Sequence, residues 1–330
     1  MADHIVVTGA AGFIGSCLAH HLNKTQDKPI LLVDDFSFPE KNKNLVGLDA
    51  HVRIEREEFV NQLNDYSISA IFHIGARTDT TEFDTSIFEY LNVNYTKTLW
   101  KYATEKNIPF IYASSAATYG EGELGFDDDN SAIHKLKPLN PYGQSKQDID
   151  QWILEQTKTP DFWVGLKFFN VFGPNEYHKG RMASVVMHAF NQIKQTGKMK
   201  LFKSHRPDYT DGGQTRDFIY VKDLISVMMF WYRHQKNSGI YNLGTGTPRT
   251  FKDLATAVFS ALNMEHQIEY IPTPEDIRDK YQYYTKAEMQ RTLDAGYSDG
   301  FHSLEDAVND NVNRYLARGN HYSGWNFDMS

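Results

Sequence analysis

Glycines at positions 9, 12 and 15, directly behind the β-branched run His4–Thr8, constrain this chain more than anything else in it. In Gly9-Ala10-Ala11-Gly12-Phe13-Ile14-Gly15 the first glycine permits a tight turn and the second lets backbone approach a pyrophosphate. The third allows a helix to pack closely on the strand. The helix predicted over Phe13–Leu22 would aim its unpaired N–H groups and positive dipole end at an anion. Three glycines so spaced can be a plain turn. The flanking strand and helix, with Asp34 and Asp35 ending the next apolar run at Ile30–Val33, make the pattern a dinucleotide fingerprint. A carboxylate at Asp34 suits a ribose 2′-hydroxyl and would repel a 2′-phosphate. Lys41, Lys43, Arg53 and Arg56 follow and would neutralise such a phosphate, although a solvated face explains them equally well. From spacing, NAD and NADP both stay open.

The same alternation continues along the first half. Ala70–His73 and Phe110–Ala113 read as strands, with a helical stretch at Ile87–Lys106 between them, and Trp163–Phe169 and Ile240–Leu243 read as later strands. Continuous apolar strands separated by helices imply a parallel sheet covered on both faces, the doubly wound α/β (Rossmann) architecture. From Asn175 onward long loops interrupt the pattern, so a smaller C-terminal substrate lobe is expected to interleave with the sheet. We expect a Rossmann domain over 1–174 with a returning segment near 217–247, and a mainly substrate-binding lobe over 175–330. A length of 330 residues suits about two domains. A formal charge of −8 argues against a grip on nucleic acid, which depends on neutralising phosphates. Cys17 is the only cysteine, so no internal disulfide or cysteine-rich metal site can form. The apolar run Val227–Tyr232 is far short of the about 20 residues a membrane span needs, and the N-terminus lacks a signal-peptide pattern. A cytoplasmic protein is the expectation.

The strand Phe110–Ala113 leads into Ser114-Ser115-Ala116-Ala117-Thr118-Tyr119-Gly120, and later comes Tyr142-Gly143-Gln144-Ser145-Lys146. On a helix, Tyr142 and Lys146 share one face. A nearby ammonium would lower the tyrosine pKa from about 10 toward the working range. Tyr142 would then exchange a proton with a sugar hydroxyl while a nicotinamide takes the hydride, and Ser115 would hold the same oxygen. The spacing Tyr-x-x-x-Lys alone describes any pair of helix-surface neighbours. Its place after the glycine turn and the Ser-Ser strand end gives it weight.

In that order of motifs the chain resembles the extended short-chain dehydrogenase/reductase superfamily, from Val7-Thr8-Gly9 through Tyr241-Asn242-Leu243-Gly244-Thr245-Gly246. Asn92 matches that superfamily's recurrent asparagine. Within it, the chain is similar to the ADP-L-glycero-D-manno-heptose 6-epimerases through Ile111–Gly120, Phe168–Pro174 and His178-Lys179-Gly180-Arg181-Met182-Ala183-Ser184. Thr215–Phe218, Ile268–Pro272 and Lys280-Tyr281-Gln282 extend the match. The resemblance implies a second acid/base group at Lys179, which spacing alone reads as a surface lysine. It also implies cofactor contacts from Phe13, Ile14, Asp34, Asp35, Lys41, Arg56, Ile74, Gly75, Ala76, Arg77, Thr78, Asn92 and Val171, besides Tyr142, Lys146 and Lys179. Around an ADP-heptose or related nucleotide sugar it places Ser115, Asn170, Arg181, His188, Phe202, Lys203, Ser204, His205, Arg216 and Tyr281. A guanidinium fork at Arg216 suits a diphosphate. Lys41 and Arg56 match basic positions of NADP users, so NADP is expected, with NAD the alternative, and a homo-oligomer is implied.

There are departures from the pattern. Arg181 stands where the family carries a serine, and loops 121–139 and 203–216 are longer than usual. No carboxylate follows Ser115, which speaks against a dehydratase. A UDP-hexose 4-epimerase needs only the tyrosine, lysine and serine, and a non-catalytic NADP sensor would need none of them. Thirteen histidines suggest metal, yet no H-E-x-x-H or tight Cys/His set exists, and His73 reads as structural. Asp127, Asp128 and Asp129 read as a solvated loop.

Overall fold

The computed structural model describes residues 3–278 and 282–324. Apolar runs bounded by turn residues become strands β1 (Asp3–Thr8), β2 (Ile30–Asp34), β3 (Val52–Glu55), β4 (Ser67–His73), β5 (Phe110–Ser115) and β6 (Trp163–Phe168). The chain then leaves the sheet through β7 (Asn170–Phe172), β8 (Met199–Phe202), β9 (Thr215–Arg216) and β10 (Phe218–Tyr220). It returns as β11 (Gly239–Leu243), followed by β12 (Arg249–Thr250) and β13 (Ile268–Ile271). The main sheet has seven strands in the order β11-β6-β5-β4-β1-β2-β3, with every pairing parallel. Strand order reverses at β1, and in open α/β sheets the crevice beyond that switch point receives the ligand.

The longer helices are α1 (Phe13–Thr25), α2 (Tyr95–Lys106), α3 (Pro141–Leu154), α4 (Val185–Thr196), α5 (Val221–His234), α6 (Phe251–Ala261) and α7 (Leu304–Asp310). The period of two along β1 divides its side chains between two cores. Ile5 and Val7 join Leu18, Leu22, Val227 and Trp231, whereas Val6 joins Leu31, Ile71, Leu99, Trp100 and Ile149. In the second core Trp100 meets Phe110 and Trp163 edge-on, with ring centroids 5.6 and 5.3 Å apart. Outside the sheet, β8 pairs with β13, β9 with β12 and β7 with β10.

Two features depart from the periodicity. β3 buries only Ile54 and exposes its other residues, so it lacks the apolar run that marks its neighbours. The helical stretch before β5 is broken: a turn of α-helix at Thr85–Phe88 passes into a π-helical segment, Glu89–Asn94, before α2. Such bulges cluster at functional sites, and this one buries Asn92. No helix among the described residues is long and apolar enough to cross a membrane.

Candidate active site

The turn after β1 and the turn after β4 touch backbone to backbone. Gly9 has φ +68°, and a Cβ there would lie 2.6 Å from Gly75 Cα; a Cβ at Gly15 would meet Gly9 O at 2.1 Å. Side chains at either position would drive the turns apart. Gly12 caps α1 without a side chain, and the helix carries no acid in its first turn. The N–H groups of that turn open on a cleft of about 430 Å³ lined by Gly9, Gly12, Phe13, Ile14, Gly15, Asp34, Lys41 and Arg56. Ile74, Gly75, Ala76, Arg77, Thr78, Lys179 and Arg181 complete this part of the wall. Bare backbone donors, an acid-free helix start and five cations, Lys41, Arg56, Arg77, Lys179 and Arg181, fit a dinucleotide.

Asp34 is buried and already engaged. Its carboxylate accepts from Ala11 N–H at 2.8 Å and Asp35 N–H at 2.7 Å, and it pairs with the Lys41 ammonium. Asp35 lies outside the lining, 4.0 Å from Arg56, and accepts from the Ser37 hydroxyl at 2.6 Å, the main reason its pKa sits below the usual range. Asn92 sits behind the wall. It accepts from Arg77 N–H at 2.8 Å and donates to Arg77 C=O at 3.0 Å and to Ser145 Oγ at 2.9 Å, tying the cleft to α3. His73 supports the same turns. Thr96 Oγ1 donates to Asn92 C=O and so accepts from His73 Nε2–H at 2.7 Å, leaving Nδ1 to accept from Thr8 Oγ1 at 2.7 Å. This neutral tautomer is the one burial favours, lowering the His73 pKa to about 3.

α3 is capped by Asn140, which accepts from Gly143 N–H at 2.8 Å, and it starts at Pro141. Tyr142, Lys146 and Asp150 follow at four-residue spacing along one face. The Tyr142 hydroxyl is hydrogen-bonded to Ser115, and Lys146 Nζ donates to Ala113 C=O at 2.8 Å. Burial pushes the Tyr142 pKa up and the Ser115 bond opposes it; the expected lowering by Lys146 is absent. Desolvation of the buried phenol is the largest influence on that pKa. Burial lowers Lys146 itself to about 8, against the pull of Asp150. Asp150 is fully buried and accepts from Tyr112 OH at 2.9 Å, Ser114 Oγ at 2.7 Å and Lys167 Nζ at 2.7 Å. Lys167 also donates to Thr118 Oγ1 at 2.6 Å, and Thr118 donates to Ser115 C=O at 2.9 Å. The floor under Ser115 is thus a closed polar network.

Lys179 lines the dinucleotide cleft, whose described lining includes none of Ser115, Tyr142 and Lys146; it sits in the short turn Tyr177–Met182 that breaks at Gly180 (φ 52°, ψ −125°). Its ammonium lies 5.4 Å from the centroid of the Phe13 ring at the start of α1. Burial lowers its pKa, with Glu176 opposing, and burial also takes neighbouring His178 down to about 4. Asn175, at φ 73°, donates to Ser16 Oγ at 2.9 Å and accepts from Tyr322 N–H at 2.8 Å. The Tyr177 hydroxyl donates to Asn320 C=O at 3.0 Å. The C-terminal tail therefore straps this loop to α1. Arg181 leans across the cleft to Asp79, at 2.9 and 3.2 Å from its two oxygens, and His188 Nε2 lies 3.2 Å from Arg181 C=O.

The remaining expected residues lie on or beside strands outside the main sheet. Asn170 is exposed at the start of β7, with Val171 beside it. Arg216 donates to Gln282 C=O, and Gln282 Nε2 donates to Gly120 C=O at 2.7 Å, joining β9 to the turn after Ser115. Phe202 ends β8, and exposed Lys203 bonds back to Ile271 C=O at 2.8 Å. Ser204 and His205 gather at the Tyr283 hydroxyl, 3.4 Å from Ser204 Oγ and 2.9 Å from His205 N. Tyr281 lies outside the described residues.

Comparison with known proteins fits this geometry. The NAD dependent epimerase/dehydratase family matches residues 5–244. A Fusobacterium nucleatum ADP-L-glycero-D-manno-heptose-6-epimerase is 45% identical over 330 residues, covering 96% of this chain and 99% of that one. A Nitratidesulfovibrio vulgaris protein of the same name is 47% identical over 316 residues, covering 94% and 98%. The chain belongs to this epimerase family. The crystal structure of the Helicobacter pylori ADP-L-glycero-D-manno-heptose-6-epimerase superposes with a TM-score of 0.81 at 28% identity, covering 95% of this chain and 96% of that one.

For a chain of this epimerase family, sequence reasoning passed over Asp79, Asp150, Lys167 and Glu176, and named Gln282 only as part of a matching segment. Asp150 carried a signal, since it continues the four-residue spacing of Tyr142 and Lys146. Asp79 carried none, because its partner lies 102 residues away, and the role of Gln282 depends on Gly120, 162 residues away. The acidic loop needs a correction at one residue: Asp127 and Asp129 are exposed as expected, whereas Asp128 is buried, accepts from Asn242 N–H at 2.8 Å and pairs with Arg291 at 3.5 Å, because it packs on β11.

Proposed function

We propose that this epimerase interconverts ADP-D-glycero-β-D-manno-heptose and ADP-L-glycero-β-D-manno-heptose by inverting C6. The observation that carries the proposal is Lys179, a second proton-carrying group that lines the cleft, on a loop separate from the helix that carries Tyr142. A stereocentre whose C–H is not acidic is inverted by passing through a ketone, so the C6 hydroxyl must lose its proton and regain it on the other face. Tyr142, its oxygen held by Ser115, serves one face, and Lys179 serves the other. Lys146, one helical turn on from Tyr142, ties that helix to the end of β5 through Ala113 C=O. Arg216 and the Ser204–His205 loop hold the nucleotide end. A bound nicotinamide dinucleotide supplies the hydride acceptor and donor. Because it returns to its starting state each turnover, it need not leave.

The cofactor we propose is NADP, with NAD the alternative. Asp34 is neutralised by Lys41 and by two backbone donors, which removes the repulsion a 2′-phosphate would meet, and Arg56 stands on the same wall. The reading carries with it a cytoplasmic location and a homo-oligomeric state, the latter open to light scattering.

The test is incubation with ADP-D-glycero-β-D-manno-heptose, without added cofactor, and chromatographic separation of the isobaric heptoses. The L-glycero epimer is expected. No conversion by folded protein, even with NADP and NAD supplied, would sink the assignment. A UDP-hexose 4-epimerase using only Tyr142, Lys146 and Ser115 is the second reading. Lys179→Ala separates them: a fall of roughly 10²-fold or more in kcat is expected here, whereas a one-base 4-epimerase would be largely spared.

A further inference from the structure

We propose that Glu176 is a positioning residue for Lys179, closing the loop that carries it and holding its ammonium by charge. The inference rests on the reading of Lys179 as an acid/base group. Glu176 is 1% exposed and gathers both ends of the segment in one carboxylate. Oε1 accepts from Gly173 N–H at 3.1 Å, at the end of β7, and from the Ser184 hydroxyl at 2.7 Å. Oε2 accepts from Ser184 N–H at 2.6 Å, at the cap of α4. Its own carbonyl accepts from Lys179 N–H at 2.9 Å. Every partner donates, so the site is built for the ionised form even though burial alone pushes the carboxyl upward.

A turn broken at Gly180 has no regular ladder to fix Lys179. The carboxylate supplies that restraint by pinning the residues on either side of the turn. It is also the one anion acting on Lys179 that opposes the effect of burial. The other titratable groups nearby are accounted for. His178 is neutral through burial, with Lys41 and Asp34 beyond it. Cys17, in the field of Glu176 and Lys222, is pushed far up by burial and stays a neutral thiol. Arg181 is engaged by Asp79.

The experiment uses the holoenzyme and the variant Glu176→Gln, which keeps the shape and removes the charge. Competitive acetylation of Lys179 with acetic anhydride across pH, read by peptide mass spectrometry, reports the ammonium's titration without relying on turnover. The midpoint is expected to fall by roughly one unit or more, and kcat by roughly 10–100-fold with KM within about twofold. An unchanged midpoint would overturn the proposal. Glu176→Asp covers the case in which the glutamine variant does not fold. The same charge on a shorter arm cannot reach both loop ends, so kcat falls while the midpoint stays within about half a unit; wild-type kcat there also overturns it. A fully active Lys179→Ala would sink the two-base reading and leave the acetylation result standing, so the two failures are distinguishable.

Discussion

Tyr142 and Lys146 stand on a 14-residue helix capped by Asn140, with the buried Asp150–Lys167 pair beneath them. Lys179 stands on a six-residue turn broken by a glycine, held by Glu176 and by a strap from the C-terminal tail. Both lysines are desolvated and pulled below the usual lysine range. The helix fixes its groups through local geometry, so their spacing is written in consecutive residues. The loop fixes its group through remote contacts, including Asn175 with Tyr322, 147 positions away. The helix is therefore rigid by construction and the loop by tethering. On the proposed mechanism, the ketone would turn over between one support of each kind.

The largest expected effect attacks the rigid helix directly. Tyr142→Phe should lower kcat by roughly 10²–10⁴-fold, measured as heptose turnover, with substrate binding retained. A variant with intact turnover would show that Tyr142 does not carry the proton. Asp150→Asn leaves Lys167 charged and unpaired in the core, which should cost about 3–5 kcal/mol of unfolding free energy. Chemical denaturation reads this, and Asp150→Asn with Lys167→Met should recover much of the loss.

A smaller effect concerns the turns that join β1 and β4. His73 has a folded-state pKa of about 3 against an ordinary 6.5. Between these values the unfolded chain binds the extra proton, so stability rises with pH and is lost as pH falls. From pH 7 to pH 5 this residue alone should remove about 2 kcal/mol. His73→Gln should flatten that part of the pH dependence; an unaltered slope would contradict the buried, neutral state of His73. The smallest effect belongs to the tethered loop. The Arg181 guanidinium is 67% exposed where it meets Asp79, so Arg181→Ala should change stability by about 1 kcal/mol or less. Its expected trace is faster release of bound dinucleotide, seen by fluorescence and diminished by salt.

What the sequence made legible follows the same division. The glycine turn, the buried strands and the Tyr142–Lys146 spacing all depend on neighbours within a few residues, and the sheet order follows from them. β3 escaped because only Ile54 faces inward, and the π-helical turn escaped because its residues keep a helical look. The pKa direction of Tyr142 was misjudged because spacing places Lys146 on the same face but cannot show how deeply the phenol is buried. Asp128, Glu176 and Gln282 look like ordinary surface residues until the fold supplies their donors and acceptors.

The claim on which the rest depends is that C6 is inverted by oxidation and return within one closed site. Running the epimerisation in heavy water and examining the product by mass spectrometry and proton NMR tests it most directly. The account predicts that C6 keeps its own hydrogen and gains no deuterium. One deuterium at C6 per turnover would show direct proton abstraction from carbon and would contradict the account.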